Sequence, residues 1–307
     1  MTALKGPILV IGATGNQGGQ VARALLETGW RVHALTRNPT SQKAQTLKAQ
    51  GAHLIAGDMG NLPALIEAIQ HTAGVFCVQN FWDLGLKEEV RLGTNVIHAA
   101  INAGNHPHIV YSSGLGAETR QNVAAVDGKA IIEEQLRNSG LPFTILRPGL
   151  FMDDFLGASL PFARPIQKRL ETHRPLVGRL FLASLRAVVP SDRRIPLTTL
   201  RDVGRMAAWA FEHPDESQEK VYEVIGSSET PETLCSLWTQ VMEHPILRIP
   251  GLTLGLHCLH PKMFALLKWL GHHETPIPQE PFMMQTYPIW LRSTIQRRTA
   301  SEHYKLR

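Results

Sequence analysis

A regular alternation of short apolar runs and helical segments is the feature that most limits the fold of this chain. Six candidate strands are predicted, at residues 7–11, 31–36, 52–56, 74–79, 108–112 and 142–146. Strands that alternate with helices of ordinary length form a parallel sheet that helices cover on both faces. The sequence therefore predicts an α/β fold built on a doubly wound parallel sheet.

The first strand runs into the glycine loop, residues 12–18, which reads Gly-Ala-Thr-Gly-Asn-Gln-Gly. Glycines let the backbone approach a pyrophosphate closely, and the free N–H groups of the following helix stabilise its charge. The spacing G-x-x-G-x-x-G departs from the usual G-x-G-x-x-G, and a glycine turn without a ligand is the alternative. Because the loop follows a strand and opens a helix, we interpret it as a dinucleotide site. The predicted contacts are Gly12, Thr14, Gly15, Asn16, Gln17 and Gly18.

The end of the second strand indicates which dinucleotide is bound. An NAD site carries an acidic residue about 20 residues beyond the loop, whereas this segment reads Leu35-Thr36-Arg37-Asn38. The Arg37 guanidinium can form charge-assisted hydrogen bonds to a 2′-phosphate, which favours NADP(H). Arg37 could instead be an ordinary surface arginine.

Two later strand ends supply further candidates. Asp58 follows the third strand, where its carboxylate could reach the adenine amino group or cap the next helix. Asn80 follows the fourth strand, along the crevice where the nicotinamide half is expected. Cys77 lies just inside that strand, and we interpret it as a buried packing thiol.

The alternation stops near Pro148, and no clear strand–helix unit is predicted from there to about Pro190. We expect an NADP-binding domain over residues 1–155 and a smaller, mostly helical lobe over residues 156–307. Residues 196–226 are expected to return to the main sheet.

Composition limits the other functions. The formal net charge is +5, with a basic segment over residues 157–206, but no aromatic residues interleave those charges in a stacking pattern, so nucleic acid is not favoured as a partner. The three cysteines form no C-x-x-C pair, which indicates a reducing compartment. Since the N-terminus also lacks a secretory signal, we expect the protein in the cytoplasm.

The C-terminal region is expected to contain neither a membrane span nor a metal site. The apolar stretch over residues 246–271 is interrupted by Arg248, Pro250, Pro261 and Lys262, so it is not expected to span a membrane. Its histidines and cysteine could bring metal ligands together, but their spacing matches no established pattern, and no metal is predicted. These residues are His257, Cys258, His260, His272 and His273.

Taken in order, the short segments of the first part of the chain resemble the NmrA-like family of atypical short-chain dehydrogenases/reductases. They are the glycine loop and residues 36–39, 57–58, 80–83, 127–129 and 146–152, and the resemblance covers about residues 6–230. It implies an NAD(P)-binding Rossmann fold.

Short-chain dehydrogenases usually carry a tyrosine four residues before a lysine that helps it to transfer a proton. Lys129 is present, but Ala125 replaces the tyrosine, and Tyr111 belongs to the fifth strand. The resemblance then favours an NADP(H)-responsive regulator, in which the cofactor changes the surface offered to a protein partner.

The alternative is an NADPH-dependent reductase of a quinone, enone or similar small apolar substrate. Lys129 would donate a proton, orient the nicotinamide ribose or hold a water, although it could also contact the ribose without a catalytic role. A substrate or partner cleft is predicted, unless its residues simply pack the junction of the lobes. These residues are Phe81, Trp82, Phe151 and Met152.

Overall fold

A computed structural model describes residues 5–156 and 174–273, and the structural statements below concern those residues. The chain divides into two compact units. Within the described ranges, the first unit comprises residues 5–148 and 200–224, and the second comprises residues 149–156, 174–199 and 225–273.

The first unit is built on a seven-stranded, fully parallel sheet, which confirms the predicted fold class. Its strands are β1 (Ile8–Val10), β2 (Val32–Thr36), β3 (His53–Ala56), β4 (Gly74–Cys77), β5 (His108–Ser112), β6 (Phe143–Pro148) and β9 (Lys220–Val224). They lie in the order β3-β2-β1-β4-β5-β6-β9. The strand order reverses between β1 and β4, and ligands of such sheets bind beyond the carboxyl ends of the strands at this point.

Eleven helices accompany the strands within the described ranges. They are α1 (Asn16–Glu27), α2 (Gln42–Ala49), α3 (Leu62–Ile69), α4 (Phe81–Asn102), α5 (Ala124–Arg137), α6 (Arg174–Val188), α7 (Leu200–Glu212), α8 (Pro214–Ser217), α9 (Pro231–Met242), α10 (Leu252–Leu259) and α11 (Pro261–His272).

The central strands β1, β4 and β5 are buried along their whole length, because helices cover both faces of the sheet. Their side chains form one apolar core with those of α3, α4 and α5. Helix α4 begins at Phe81, where the side chain of Asn80 caps it. Gly85, with φ of 73°, then interrupts the helix.

The second unit contains a small sheet of β7 (Leu150–Phe151), β8 (Ile195–Thr198) and β10 (Ser227–Glu229). The sequence predicts no clear strand–helix unit from Pro148 to about Pro190, and the described elements there are β7, a 3₁₀ turn over Met152–Leu156 and α6. Gly178 explains the tight packing of α6, because a β-carbon at this position would overlap the backbone carbonyl of Phe155.

Across the described ranges, no helix is both long enough and apolar enough to cross a bilayer.

Candidate functional site

The glycine loop turns sharply between β1 and α1. Gly12 has φ of 73°, a conformation that glycine adopts without strain, and its carbonyl accepts a hydrogen bond of 2.8 Å from the Gly15 N–H. A β-carbon on Gly18 would overlap the Gly12 carbonyl, so only glycine fits there. The predicted glycine pattern therefore has a steric cause at two of its three positions.

The N-terminus of α1 differs from those of the next three helices. The side chains of Ser41, Asn61 and Asn80 accept hydrogen bonds from the first turns of α2, α3 and α4. Helix α1 has Gly15 as its N-cap residue and therefore no side-chain cap, and its first turn carries no acidic residue. Its end can thus accept an anion, because the N–H groups and the helix dipole favour negative charge there.

The loop is tied to the end of β5. The Ser112 hydroxyl donates a hydrogen bond of 2.7 Å to Gln17 Oε1, while Thr14 is half-buried in the loop. The contact of Ser112 with Gln17 is not predicted from the sequence, because the two residues are 95 positions apart in the chain. This contact brings the glycine loop and the carboxyl end of β5 to the same edge of the sheet.

Arg37 and Asp58 lie together at the ends of β2 and β3. Arg37 Nε is 3.8 Å from Asp58 Oδ2, and the two side chains are 84% and 50% exposed. Asp58 also accepts a hydrogen bond of 2.7 Å from the Gly60 N–H. Asn61 caps α3, so Asp58 does not have that alternative role. The Arg37 side chain is therefore exposed and accessible to an anionic ligand.

Asn80 uses its side chain locally. Its Oδ1 accepts from the Trp82 N–H at 3.2 Å, and its Nδ2 donates to Asp83 Oδ2 at 2.9 Å. A contact with a cofactor at this position stays a prediction.

Lys129 on α5 forms an ion pair with a residue that is not predicted from the sequence. Its Nζ lies 2.9 Å from Oε1 of Glu89 on α4, and the side chains are 18% and 0% exposed. A β-carbon on Gly114, just beyond β5, would lie 3.1 Å from the Lys129 side chain. The ammonium group is therefore held next to the carboxyl end of β5.

A helical pattern contains one signal for Glu89. The acid stands three, four and seven residues before Leu92, Gly93 and Val96, which are all buried, so it occupies the apolar stripe of α4. An acid in such a stripe is seldom buried without a partner.

Two further polar groups behind this pair are fully enclosed. Burial and the neighbouring charge of Glu89 hold the pKa of Tyr111 well above its ordinary value. Burial likewise raises the pKa of the Cys77 thiol to about 12, and Gln79 Nε2 donates to its sulfur at 2.9 Å. Tyr111 is thus no substitute for the tyrosine that Ala125 replaces, and Cys77 is a packing residue.

A second buried ion pair lies beside β6. Arg147 Nη2 is 2.7 Å from Glu133 Oε2, and the Ser113 hydroxyl donates to Glu133 Oε1 at 2.5 Å. Both serines after Tyr111 are therefore engaged with protein groups.

The four predicted cleft residues are divided between the units. Phe81 is buried and Trp82 half-buried, with their rings 5.3 Å apart in an edge-on contact. Phe151 is half-buried in the second unit, and Met152 is completely buried there. A common cleft stays a prediction.

The described residues contain no group of three side chains that could hold a metal ion, including the histidines near His257. Residues 157–173 of the predicted basic segment lie outside the described ranges.

The sequence profile of the NmrA-like family matches residues 4–251. An NmrA-like family domain-containing oxidoreductase of Malbranchea aurantiaca is 34% identical over 236 residues, which cover 72% of this chain and 68% of that protein. Three Aspergillus oxidoreductases of the family match over 45–48% of their own length, so the chain spans about half the length of these curated relatives.

Solved structures give a similar result. The NADPH complex of an NADPH-dependent quinone oxidoreductase from Escherichia coli is 26% identical, with a TM-score of 0.63 and 85% of both chains covered. The NADP complex of NmrA, a negative transcriptional regulator, has a TM-score of 0.66 at 19% identity and covers 94% of this chain and 91% of its own. At that identity the likeness concerns the fold. Together with the profile match, these findings show that the chain belongs to the NmrA-like family.

Proposed function

We propose that this protein binds NADP(H) across the carboxyl ends of its parallel strands. The uncapped end of α1 and the glycine loop would hold the pyrophosphate, and the exposed Arg37 would hold the 2′-phosphate. The first turn of α1 carries no acidic residue that would repel the phosphates. A ligand with two phosphate groups matches both features at once.

We further propose that the protein is an NADPH-dependent reductase of a small apolar acceptor such as a quinone or enone. The observation that carries this proposal is the ion pair between Lys129 and the fully buried Glu89. Charges removed from water are costly to build into a fold, and ionisable groups in such surroundings cluster at functional sites. The curated relatives named oxidoreductases support the same activity.

The chemistry divides between cofactor and protein. Bound NADPH supplies a hydride, which carries two electrons, and a quinone that accepts it also gains a proton from water to become a hydroquinone. The ammonium group of Lys129 would contact the nicotinamide ribose and stabilise the negative charge that forms on the acceptor oxygen. Its proton is not required for this role, and so the absence of a tyrosine at position 125 does not prevent the reaction.

The test is a measurement of NADPH oxidation. Purified protein is mixed with NADPH and a panel of quinones and enones, and the absorbance of the reduced nicotinamide is followed. Wild-type turnover that falls about hundredfold in Lys129→Ala is expected, because one electrostatic group in such a site contributes about that factor. Lys87→Ala, an exposed lysine on α4, is the matched control and keeps full activity. Turnover that is the same in Lys129→Ala and Lys87→Ala would exclude Lys129 from the reaction.

A second function, an NADP(H)-responsive regulator, is favoured by Ala125, which removes the usual proton-transferring tyrosine. A regulator binds NADP(H) but oxidises it with no acceptor, and its affinity for a protein partner depends on the ligand state. Tight NADPH binding without turnover across the whole panel would favour this function over the reductase.

A further inference from the structure

Glu89 is a carboxylate that the fold has enclosed completely. It lies in the buried stripe of α4, and its side chain is 0% exposed. A buried carboxylate costs several kcal/mol in lost hydration unless a charged partner and hydrogen bonds replace the water. Lys129 supplies that partner at 2.9 Å from Oε1.

The fold also makes room for this carboxylate at one position. A β-carbon on Gly128 would lie 2.5 Å from Glu89 Oε2 and 3.1 Å from Leu86 Cδ1. Gly128 has no positive φ that would require glycine, so the space for the carboxylate is the reason for the missing side chain. The segment Asp127-Gly128-Lys129 therefore supplies both the cation and the gap into which its partner fits.

The hydrogen-bonding capacity around the Lys129–Glu89 pair is not fully used. Glu89 Oε2 and the Tyr111 hydroxyl are both buried without a hydrogen-bond partner among the described residues. The charge of Glu89 is close enough to act on Tyr111. Buried polar atoms of this kind are rare in folded proteins and cost free energy, which argues against a purely stabilising ion pair.

We propose that Glu89 is the positioning residue of Lys129, and that it holds the ammonium group where the nicotinamide half of NADP(H) binds. This inference rests on the proposed NADP(H) binding and extends it to a residue on another helix. Without the charge of Glu89, the Lys129 ammonium group is no longer fixed in place next to β5.

A structural role alone predicts something different. If Glu89 only joins α4 to α5, its loss lowers stability and acts on every ligand equally. If Glu89 positions Lys129, its loss acts on ligands that include the nicotinamide ribose. Adenosine 2′,5′-bisphosphate provides the comparison, because it carries the 2′-phosphate that Arg37 recognises but lacks the nicotinamide half.

The experiment measures the dissociation constants of NADPH and adenosine 2′,5′-bisphosphate by calorimetry. Glu89→Gln keeps the shape of the side chain and removes its charge, and Glu88→Gln, on the neighbouring residue paired with Arg91, is the control. We expect Glu89→Gln to weaken NADPH about tenfold, the equivalent of about 1.4 kcal/mol, and to change the bisphosphate less than about twofold. Glu88→Gln leaves both constants unchanged.

A double variant sharpens the result. If Glu89 acts through Lys129, adding Glu89→Gln to Lys129→Ala causes no further loss of NADPH affinity, because the group to be positioned is gone. Additive losses would show that Glu89 acts independently of Lys129, and the proposal would be wrong.

Two glycine variants test the same point if Glu89→Gln folds poorly. Gly128→Ala displaces the carboxylate without removing it, whereas Gly93→Ala crowds Ile132 at a neighbouring site between α4 and α5. We expect both to lower the thermal midpoint, and only Gly128→Ala to weaken NADPH relative to the bisphosphate. An unchanged ratio of the two constants in Glu89→Gln and Gly128→Ala overturns the positioning role. Wild-type protein that binds neither ligand overturns the proposed NADP(H) site itself, and the inference with it.

Discussion

Two of the ion pairs at the carboxyl edge of the parallel sheet are opposite in character. Arg37 and Asp58 are 84% and 50% exposed and lie 3.8 Å apart, whereas Lys129 and Glu89 are 18% and 0% exposed and lie 2.9 Å apart. Water already hydrates the first pair, so Arg37 can exchange Asp58 for a ligand at little cost. The second pair must stay together, because either partner alone would be an uncompensated buried charge.

This difference suggests a division of work between the two ends of the proposed site. The exposed pair selects the ligand by its charge, and the buried pair fixes one group in place. Both ends also depend on the glycine loop, because the proposed dinucleotide would be held there at the N-terminus of α1.

The largest effect is expected from a change that removes this common element. Gly18→Ala introduces a β-carbon that overlaps the Gly12 carbonyl and so displaces the loop from α1. We expect NADPH and adenosine 2′,5′-bisphosphate to bind at least about hundredfold more weakly, because the displaced loop would no longer hold the pyrophosphate of NADPH or the 5′-phosphate of the bisphosphate. Calorimetry of both ligands checks this.

Gly19→Ala is the control for that variant. Its β-carbon would lie 3.3 Å from the Ala13 carbonyl, a contact that a small shift can relieve. Affinity losses of equal size in the two variants would mean that any side chain added to the first turn of α1 weakens binding. The close approach of Gly18 to Gly12 would then not be the cause.

The next effect distinguishes the two pairs by stability. Glu89→Gln leaves a buried ammonium group with a neutral partner, and we expect the free energy of unfolding to fall by about 3 kcal/mol. Asp58→Asn, in the exposed pair, is expected to change it by less than about 1 kcal/mol. Urea unfolding of both variants measures these values, and equal losses would remove the distinction between the pairs.

Part of this comparison is available from the sequence and part is not. The fold class follows from the alternation of strands and helices, and Arg37 follows from its place directly after β2. Both depend on residues that are neighbours in the chain. The sequence shows no clear strand–helix unit around α6 and yields no prediction for α10, because prolines and basic residues around them obscure the apolar period.

Glu89 is missed for a different reason. Its partner Lys129 is 40 residues away, and the neighbouring residues Lys87 and Glu88 make the segment resemble an exposed charged surface. Burial arises only when α4 packs on α5, and a single sequence carries no direct signal of that packing. The one available hint is the position of the acid in the apolar stripe of α4.

A smaller effect concerns the choice of cofactor. Arg37→Asp replaces the cation that would face the 2′-phosphate by an anion, so we expect NADPH to weaken about thirtyfold relative to NADH. Titration of both dinucleotides against wild-type and variant protein gives the ratio. Equal losses for NADPH and NADH would show that Arg37 is an ordinary surface residue.

The smallest expected effect is the response of each end to salt. At about 0.15 M ionic strength charges are screened over about 8 Å, and exposed groups are screened far more than buried ones. The affinity gained from Arg37, measured as the ratio of dissociation constants between Arg37→Ala and wild type, should therefore fall about threefold as the ionic strength rises from about 0.05 to about 0.5 M. The corresponding ratio for Lys129→Ala should stay constant, because Glu89 and the surrounding core hold that ammonium group away from bulk ions. Equal salt dependence at both ends would mean that solvent reaches Lys129 as freely as Arg37, and the buried pair could not then fix a charge in place.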